Sequence, residues 1–260
     1  MTDVREVAAD LVAEQEALDA IVGELWDEQW RLPTPSLGWT VADQVGHLTY
    51  FDGAAATAVT DPDAFTASFQ ELLAAADGGD ALTLGRDHDP AELLAAWRGN
   101  RSRLAAVAAT LPDGRRIGWY GPSMGAKSFL TARLMECWAH GQDIADAVGH
   151  PRPPTDRLRH IAQLGFITRG WSYINRGMEV PPGDVRVELT SPSGGGWSFG
   201  PEDAADVVTG PAVDFCFVVT QRRHVDDTAL EVTGALARDW LERAQAFAGG
   251  PTDGPTPRPA

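Results

Sequence analysis

Four long stretches within the first 150 residues repeat their apolar side chains about every 3.6 positions. That pattern restricts this part of the chain to folds in which helices bury a stripe against other helices. The first stretch runs from Asp3 to about Gln29 through Val4, Val7, Ala8, Leu11, Val12, Leu18, Ile21, Val22, Leu25 and Trp26, and stops before Pro33 and Pro35. The second opens at Gly38-Trp39-Thr40-Val41-Ala42-Asp43, where Thr40 can cap and Asp43 can reach back to complete a capping box. It continues through Val45, Leu48 and Phe51 to about Val59. The third covers Pro90 to Thr110, with Leu93, Leu94, Trp97, Leu104 and Val107 in register, and the fourth covers Ser128 to Val148. Between the second and third, Phe65 to Ala75 reads as a short amphipathic insert and Asp77-Gly78-Gly79-Asp80 as a loop. Four amphipathic helices with one long crossover suggest an antiparallel or ferritin-like bundle.

Pro151-Arg152-Pro153-Pro154 marks a boundary. Thr155 caps a helix expected from Asp156 to about Trp171, and past Pro181-Pro182-Gly183 the period changes from 3.6 to 2. Val185 to Thr190 alternates as a half-buried strand, Ser191 to Gly196 turns, and Trp197-Ser198-Phe199 begins the return. Ala204 to Val208 suits a short strand or a helix start. Pro211 to Gln221 suits a helix, Leu230 to Val232 a strand and Ala235 to Ala248 a last helix. The fold class is therefore α+β: a four-helix bundle over 1–150, a smaller α+β domain over 151–250, and a Pro/Gly/Thr-rich tail over 251–260 expected to be disordered.

The charge balance narrows the partners. Thirty-seven acidic residues face 21 basic ones, for a formal charge of −16, and no basic run appears. Phosphate backbones attract Lys/Arg stripes, so nucleic acid is not an expected partner. No apolar run approaches the ~20 residues that span a bilayer, so no membrane association is expected. Nor does the N-terminus carry a signal-peptide pattern. Cys137 and Cys216 make no disulfide framework and read as buried thiols in a reducing compartment, which points to the cytoplasm.

The chemistry concentrates in Arg133-Leu134-Met135-Glu136-Cys137-Trp138-Ala139-His140-Gly141-Gln142-Asp143. Glu136 and His140 are one helical turn apart and share a face, with Leu134, Met135, Trp138 and Ile144 around them. An acid and an imidazole at that spacing can hold two corners of a divalent metal site. His47, flanked by Val45 and Leu48, is the candidate for a third, or else a hydrogen-bonded core histidine. Two imidazoles and a carboxylate leave open positions, which suits catalytic Zn²⁺ and also admits Fe²⁺, Ni²⁺ or Mn²⁺. Asp43 and Asp143 stand about one turn from His47 and His140, as further ligands, tautomer-fixing acceptors or general bases. Asp143 also fits a solvated surface position. Gly118-Trp119-Tyr120-Gly121-Pro122-Ser123 is a shaped loop. Its aromatic pair suits either a pocket rim, with Tyr120 as an acid or base, or a packed turn.

The Gly38-Trp39-Thr40…Val45-Gly46-His47-Leu48 helix start and the Glu136-x-x-x-His140-x-x-Asp143 helix resemble the DinB-like superfamily. Within it, the chain is similar to the actinobacterial mycothiol-dependent maleylpyruvate isomerase group. Trp119-Tyr120-Gly121-Pro122 and Ala132-Arg133-Leu134-Met135-Glu136 are local marks of a metal-binding branch. The resemblance implies a divalent metal, usually zinc, on His47, Glu136 and His140. It also implies a sterol-carrier-protein-like C-terminal domain capping a pocket for the thiol and the substrate. An arginine of that domain contributes to the anionic pocket in this group, and Arg222 or Arg223 occupies the comparable place here. The alternative is surface arginines neutralising Asp226 and Asp227. Arg133 is a second cationic candidate near the metal and Trp119 a wall for the thiol; Arg133 could equally form an ion pair with Glu136. The expected activity is metal-dependent mycothiol chemistry, isomerase or S-transferase, on a small anionic substrate in a monomer or homodimer. A thiol-independent hydrolase or lyase and a non-catalytic metal-binding protein are the alternatives.

Overall fold

The computed structural model describes residues 3–74, 85–120 and 123–259; the expected 77–80 loop and Gly121-Pro122 lie outside the described residues. The backbone divides into two compact units, Met1–Arg152 and Pro153–Ala260.

The N-terminal unit is built on α1 (Val4–Val22), α2 (Val41–Thr60), α3 (Pro62–Ala74), α4 (Pro90–Ala108) and α5 (Ala126–Val148). In it α2 packs on α4 and α5, while α1 packs on α5 and α4, giving the four-helix bundle. The capping box at Thr40 and Asp43 forms as the sequence suggested. The first helix is shorter than its apolar pattern suggests. It ends at Val22 with Gly23 as cap, and Trp26 is left 68% exposed. A Cβ on Gly23 would lie 2.8 Å from the Asp19 carbonyl oxygen and 3.0 Å from the Arg98 guanidinium, so this close passage suits glycine. Two short strands, β1 (Arg116–Ile117) and β2 (Met124–Gly125), pair antiparallel and carry the Trp119-Tyr120 loop directly into α5.

A buried polar network ties all four bundle helices together. Asp52 on α2 is fully buried. Its Oδ1 accepts from Arg133 of α5 at 3.0 and 3.3 Å, and its Oδ2 from Gln15 of α1 at 2.9 Å and the Trp97 indole of α4 at 3.2 Å. A buried carboxylate is costly unless its lone pairs are used, and here each oxygen is.

The C-terminal unit holds α6 (Leu158–Ile167), α7 (Arg169–Ile174), β3 (Val185–Thr190), β4 (Gly196–Phe199), β5 (Asp206–Pro211), α8 (Ala212–Val219), β6 (Glu231–Thr233) and α9 (Ala235–Leu241). The sheet order is β4-β3-β5-β6, with β3 antiparallel to β4 and parallel to β5. Val185, Val187 and Leu189 are the buried positions of the alternating strand. The chain is thus α+β, as its change of period indicates. Two helices depart from expectation. The helix expected over 156–171 breaks at Thr168, whose hydroxyl donates to the Leu164 and Gly165 carbonyls. The last helix stops at Leu241, because Gln245 N–H turns to Ser172 Oγ and Ala246 N–H to the Val219 carbonyl. The tail is laid against its own unit: Thr252 Oγ1 donates to Gln221 Oε1, and Arg258 N–H to Asp227. Cys137 and Cys216 are buried free thiols, and burial raises the pKa of both.

Candidate metal centre

The helix spacing delivers Glu136 and His140 to one face of α5, and α2 brings His47 opposite them. Glu136 Oε2 lies 3.1 Å from His140 Nε2 and 3.6 Å from His47 Nε2. One donor atom from each of the three residues falls within 4.8 Å of the others. Bonds of about 2.0–2.1 Å in a tetrahedral site put neighbouring donors roughly 3.3–3.5 Å apart, so these separations fit a zinc-sized cation. The protonation preferences agree with the donor chemistry. His47 is lowered to about 4 by burial first, then by His140 and Arg133, against the opposing pull of Glu136. Burial would raise Glu136, but the hydrogen bonds and charges of His140 and His47 outweigh it and hold the carboxyl well below its ordinary value. Neutral imidazole and ionised carboxylate are the forms that bind metal.

Around the three donors the structure sorts the remaining candidates. Asp43 is not available to either imidazole. Its Oδ1 accepts from Gly85 N–H, Arg86 N–H and Arg86 Nε, and its Oδ2 from Thr40 and the Arg86 guanidinium. The acceptor that meets His140 is the neighbouring Gln44, whose Oε1 lies 2.5 Å from Nδ1. Asp143 is buried and accepts from Ser36 Oγ at 2.9 Å, anchoring the segment that leads into α2. Arg133 is paired with Asp52 and sits over the Phe51 ring, 5.9 Å from its centroid, rather than pairing with Glu136. Arg222 and Arg223 belong to the C-terminal unit. Arg222 Nη1 donates to the Thr220 carbonyl, and the Arg223 guanidinium lies 5.1 Å from the Phe217 ring centroid.

Aromatic residues pack around the imidazoles and beyond them. Trp39 stacks on His140 at 5.8 Å and 15°, and Phe51 lies 4.5 Å from the His47 ring. Trp119 stacks on Phe65 at 5.4 Å, meets Phe129 edge-on and contacts Phe51. Tyr120 sits among Phe51, Phe65 and Phe69. Its buried hydroxyl has no hydrogen-bond partner among the described residues. Burial, then the neighbouring Tyr50, raises its pKa, so the phenol stays protonated.

Sequence reasoning passed over Trp39, Gln44 and Asp52. A signal existed for two of them: Gln44 and Asp52 fall inside the apolar stripe of Val41, Val45 and Leu48, where a polar side chain needs a buried partner.

A family model for the mycothiol maleylpyruvate isomerase N-terminal domain matches residues 11–145, just over half of the chain. The chain belongs to that family. An uncharacterized protein of Mycobacterium tuberculosis, matched in two strains, is 49% identical over 260 residues, covering 98% of this chain and 100% of its own. A solved mycothiol-dependent maleylpyruvate isomerase, seen as a histidine-to-alanine mutant, covers 91% of this chain and 97% of its own, with a TM-score of 0.59 and 16% identity. A second crystal structure of the mycothiol-dependent maleylpyruvate isomerase gives 0.53 and 17% over the same shares. At these identities the likeness is one of fold. Residues 181–233 match a separate model described as wyosine base formation. Among the described residues no helix is long and apolar enough to cross a membrane.

Proposed function

We propose that this member of the mycothiol maleylpyruvate isomerase family holds a divalent cation, zinc in first place and Ni²⁺ or Fe²⁺ as alternatives, on His47, Glu136 and His140. We further propose that it uses mycothiol to isomerise, or transfer a thiol to, a small anionic substrate in the cytoplasm. The convergence of three donor atoms from two helices carries the reading, and family membership supplies the thiol. Such a cation, when bound, supplies Lewis acidity that brings a thiol or water pKa toward neutrality.

The chain's own groups do the rest. Glu136 and the two imidazoles use one atom each, which leaves room for a guest. Trp39 and Phe51 pack against the two imidazoles and Trp119 against Phe51, so apolar surface borders the donors. We assign the Tyr120 hydroxyl, buried and protonated, to donating a hydrogen bond to substrate, supported by its having no geometric hydrogen-bond partner among the described residues. By the family resemblance we assign Arg222 or Arg223 to binding a carboxylate, since a guanidinium presents two parallel N–H groups to it. Asp143, tied to Ser36, holds the Trp39-bearing segment in place. For a cis-enedioate the balance is simple. Sulfur adds to one alkene carbon, the carbon–carbon bond turns, and sulfur departs with its electron pair as the trans alkene forms.

Purified protein is expected to contain one equivalent of metal by elemental analysis, and His47→Ala and His140→Ala to contain none. One equivalent retained in both variants rejects the ligand set. Calorimetry with mycothiol, with and without chelator, then tests the thiol; turnover independent of added thiol would favour metal-assisted hydrolysis or lyase chemistry.

A further inference from the structure

The polarity of one hydrogen-bond chain decides which nitrogen of His140 faces the centre. The Trp39 carbonyl oxygen can only accept, and it receives the Thr34 hydroxyl at 3.0 Å. With its proton spent there, the Thr34 oxygen must accept at its next contact, and Gln44 Nε2 donates to it at 2.8 Å. The Gln44 amide is thereby fixed with its NH₂ toward Thr34 and its carbonyl toward His140. Gln44 Oε1 lies 2.5 Å from His140 Nδ1, a distance at which two acceptors would repel, so Nδ1 carries the proton. With Nδ1 held as the N–H that meets Gln44, Nε2 is the nitrogen turned to the centre; here it donates to Glu136 Oε2 at 3.1 Å, and on giving up that proton it would offer its lone pair to a cation. Gln44 is fully buried on α2, three residues before His47, so the same helix supplies one donor and orients another.

We infer that Gln44 is the positioning residue of the centre, locking His140 in its Nδ1–H form through Thr34 and the Trp39 carbonyl. This rests on the metal reading above. The choice of an amide has a consequence. A carboxylate in this place would add a negative charge next to the imidazole, whereas Gln44 orients the ring and adds none. A divalent ion with one ligand carboxylate and two neutral imidazoles keeps a net charge of about +1, favourable for an anionic guest such as a thiolate.

The experiment uses full-length protein loaded with zinc, or with ¹¹³Cd as a spectroscopic probe, and compares wild type with Gln44→Leu, Gln44→Glu and Thr34→Val. In ¹⁵N-histidine-labelled wild type, cadmium is expected to couple to His140 Nε2, with a slowly exchanging proton on Nδ1. Gln44→Leu is expected to lose that protection and to weaken metal affinity about 10–100-fold in chelator competition. Gln44→Glu, which still accepts from Nδ1, should restore affinity to the wild-type level or above. Thr34→Val frees the amide to turn and should weaken affinity less than Gln44→Leu. If Gln44→Leu does not fold, the wild-type coupling pattern and Thr34→Val decide. Cadmium coupling to Nδ1, or affinities within twofold across Gln44→Leu and Thr34→Val, would overturn the role of Gln44 while leaving the metal site standing. A wild type that takes up no ion rejects the metal reading itself.

Discussion

Arg133 separates two accounts of the bundle core. As a thiol-binding cation it would matter for affinity and little for folding; the structure makes it the partner of a carboxylate with no access to solvent. Its side chain is 4% exposed, that of Asp52 is 0% exposed, and the two meet at 3.0 Å. Removing one member of a buried pair leaves the other charge stranded, at a cost of about 3–5 kcal/mol. Gln15 and Trp97 still donate to the second oxygen, which favours the lower half of that range. Arg133→Met is therefore expected to cost about 3–4 kcal/mol. At roughly 2–4 °C per kcal/mol for a chain of this size, that is a Tm about 6–16 °C lower. Arg133→Met combined with Asp52→Asn removes the stranded charge and should recover at least about 1 kcal/mol of the loss, as coupled neighbours do. The assay is urea unfolding followed by far-UV circular dichroism, with the helical transition read separately from the C-terminal one. An Arg133→Met variant with an unchanged midpoint and impaired thiol binding would refute the structural role and return Arg133 to the binding site.

Other expectations follow from single features. Tyr120→Phe should leave stability within about 1 kcal/mol, since the lost hydroxyl has no geometric partner among the described residues, and should lower kcat; unchanged turnover would make the hydroxyl a bystander. Arg222→Ala and Arg223→Ala are each expected to raise KM for an anionic substrate with metal content intact, and equal KM values would assign both to the surface. Asp43 supplies a pH dependence. Burial would raise its carboxyl, but donors from Thr40 and Arg86 outweigh burial and lower it below its ordinary value. The stability it contributes is then fully present above the unfolded value of about 3.9 and is lost as pH falls through the lower folded one. The stability gap between wild type and Asp43→Asn should be flat from neutral pH to about 5 and close below about 4; a gap that persists to the acid limit would sink this account.

Much of the helical unit is legible in one dimension because its determinants are local. A 3.6-residue period marks each bundle helix, the Thr40–Asp43 capping box marks the start of α2, and a four-residue spacing puts Glu136 and His140 on one face. What the sequence hides is long-range. Gln44 meets His140 across 96 positions, and Asp52 meets Arg133 across 81, so nothing near either residue in the chain announces its partner. Asp43 and Asp143 share a helical spacing with the imidazoles; the Asp43 carboxylate is taken up by Arg86, Thr40 and the Gly85 N–H, while Asp143 accepts from Ser36. The misplaced helix ends have a similar origin. Leu25 and Trp26 continue an apolar rhythm beyond the point where Gly23 closes α1, and Leu164 to Trp171 continues one across the break at Thr168.

The pairing of Arg116 with Gly125 and of Ile117 with Met124 sets the segment bearing Trp119 and Tyr120 at the head of the helix that carries Glu136 and His140. The two rings therefore sit just ahead of the rod, while the candidate donors Glu136 and His140 lie further along it in register with α2. Adding or deleting a residue after Gly125 would instead rotate the rod by about 100° and carry those donors away from α2. A substitution at either ring leaves that register untouched, whereas a change in the length of the rod does not.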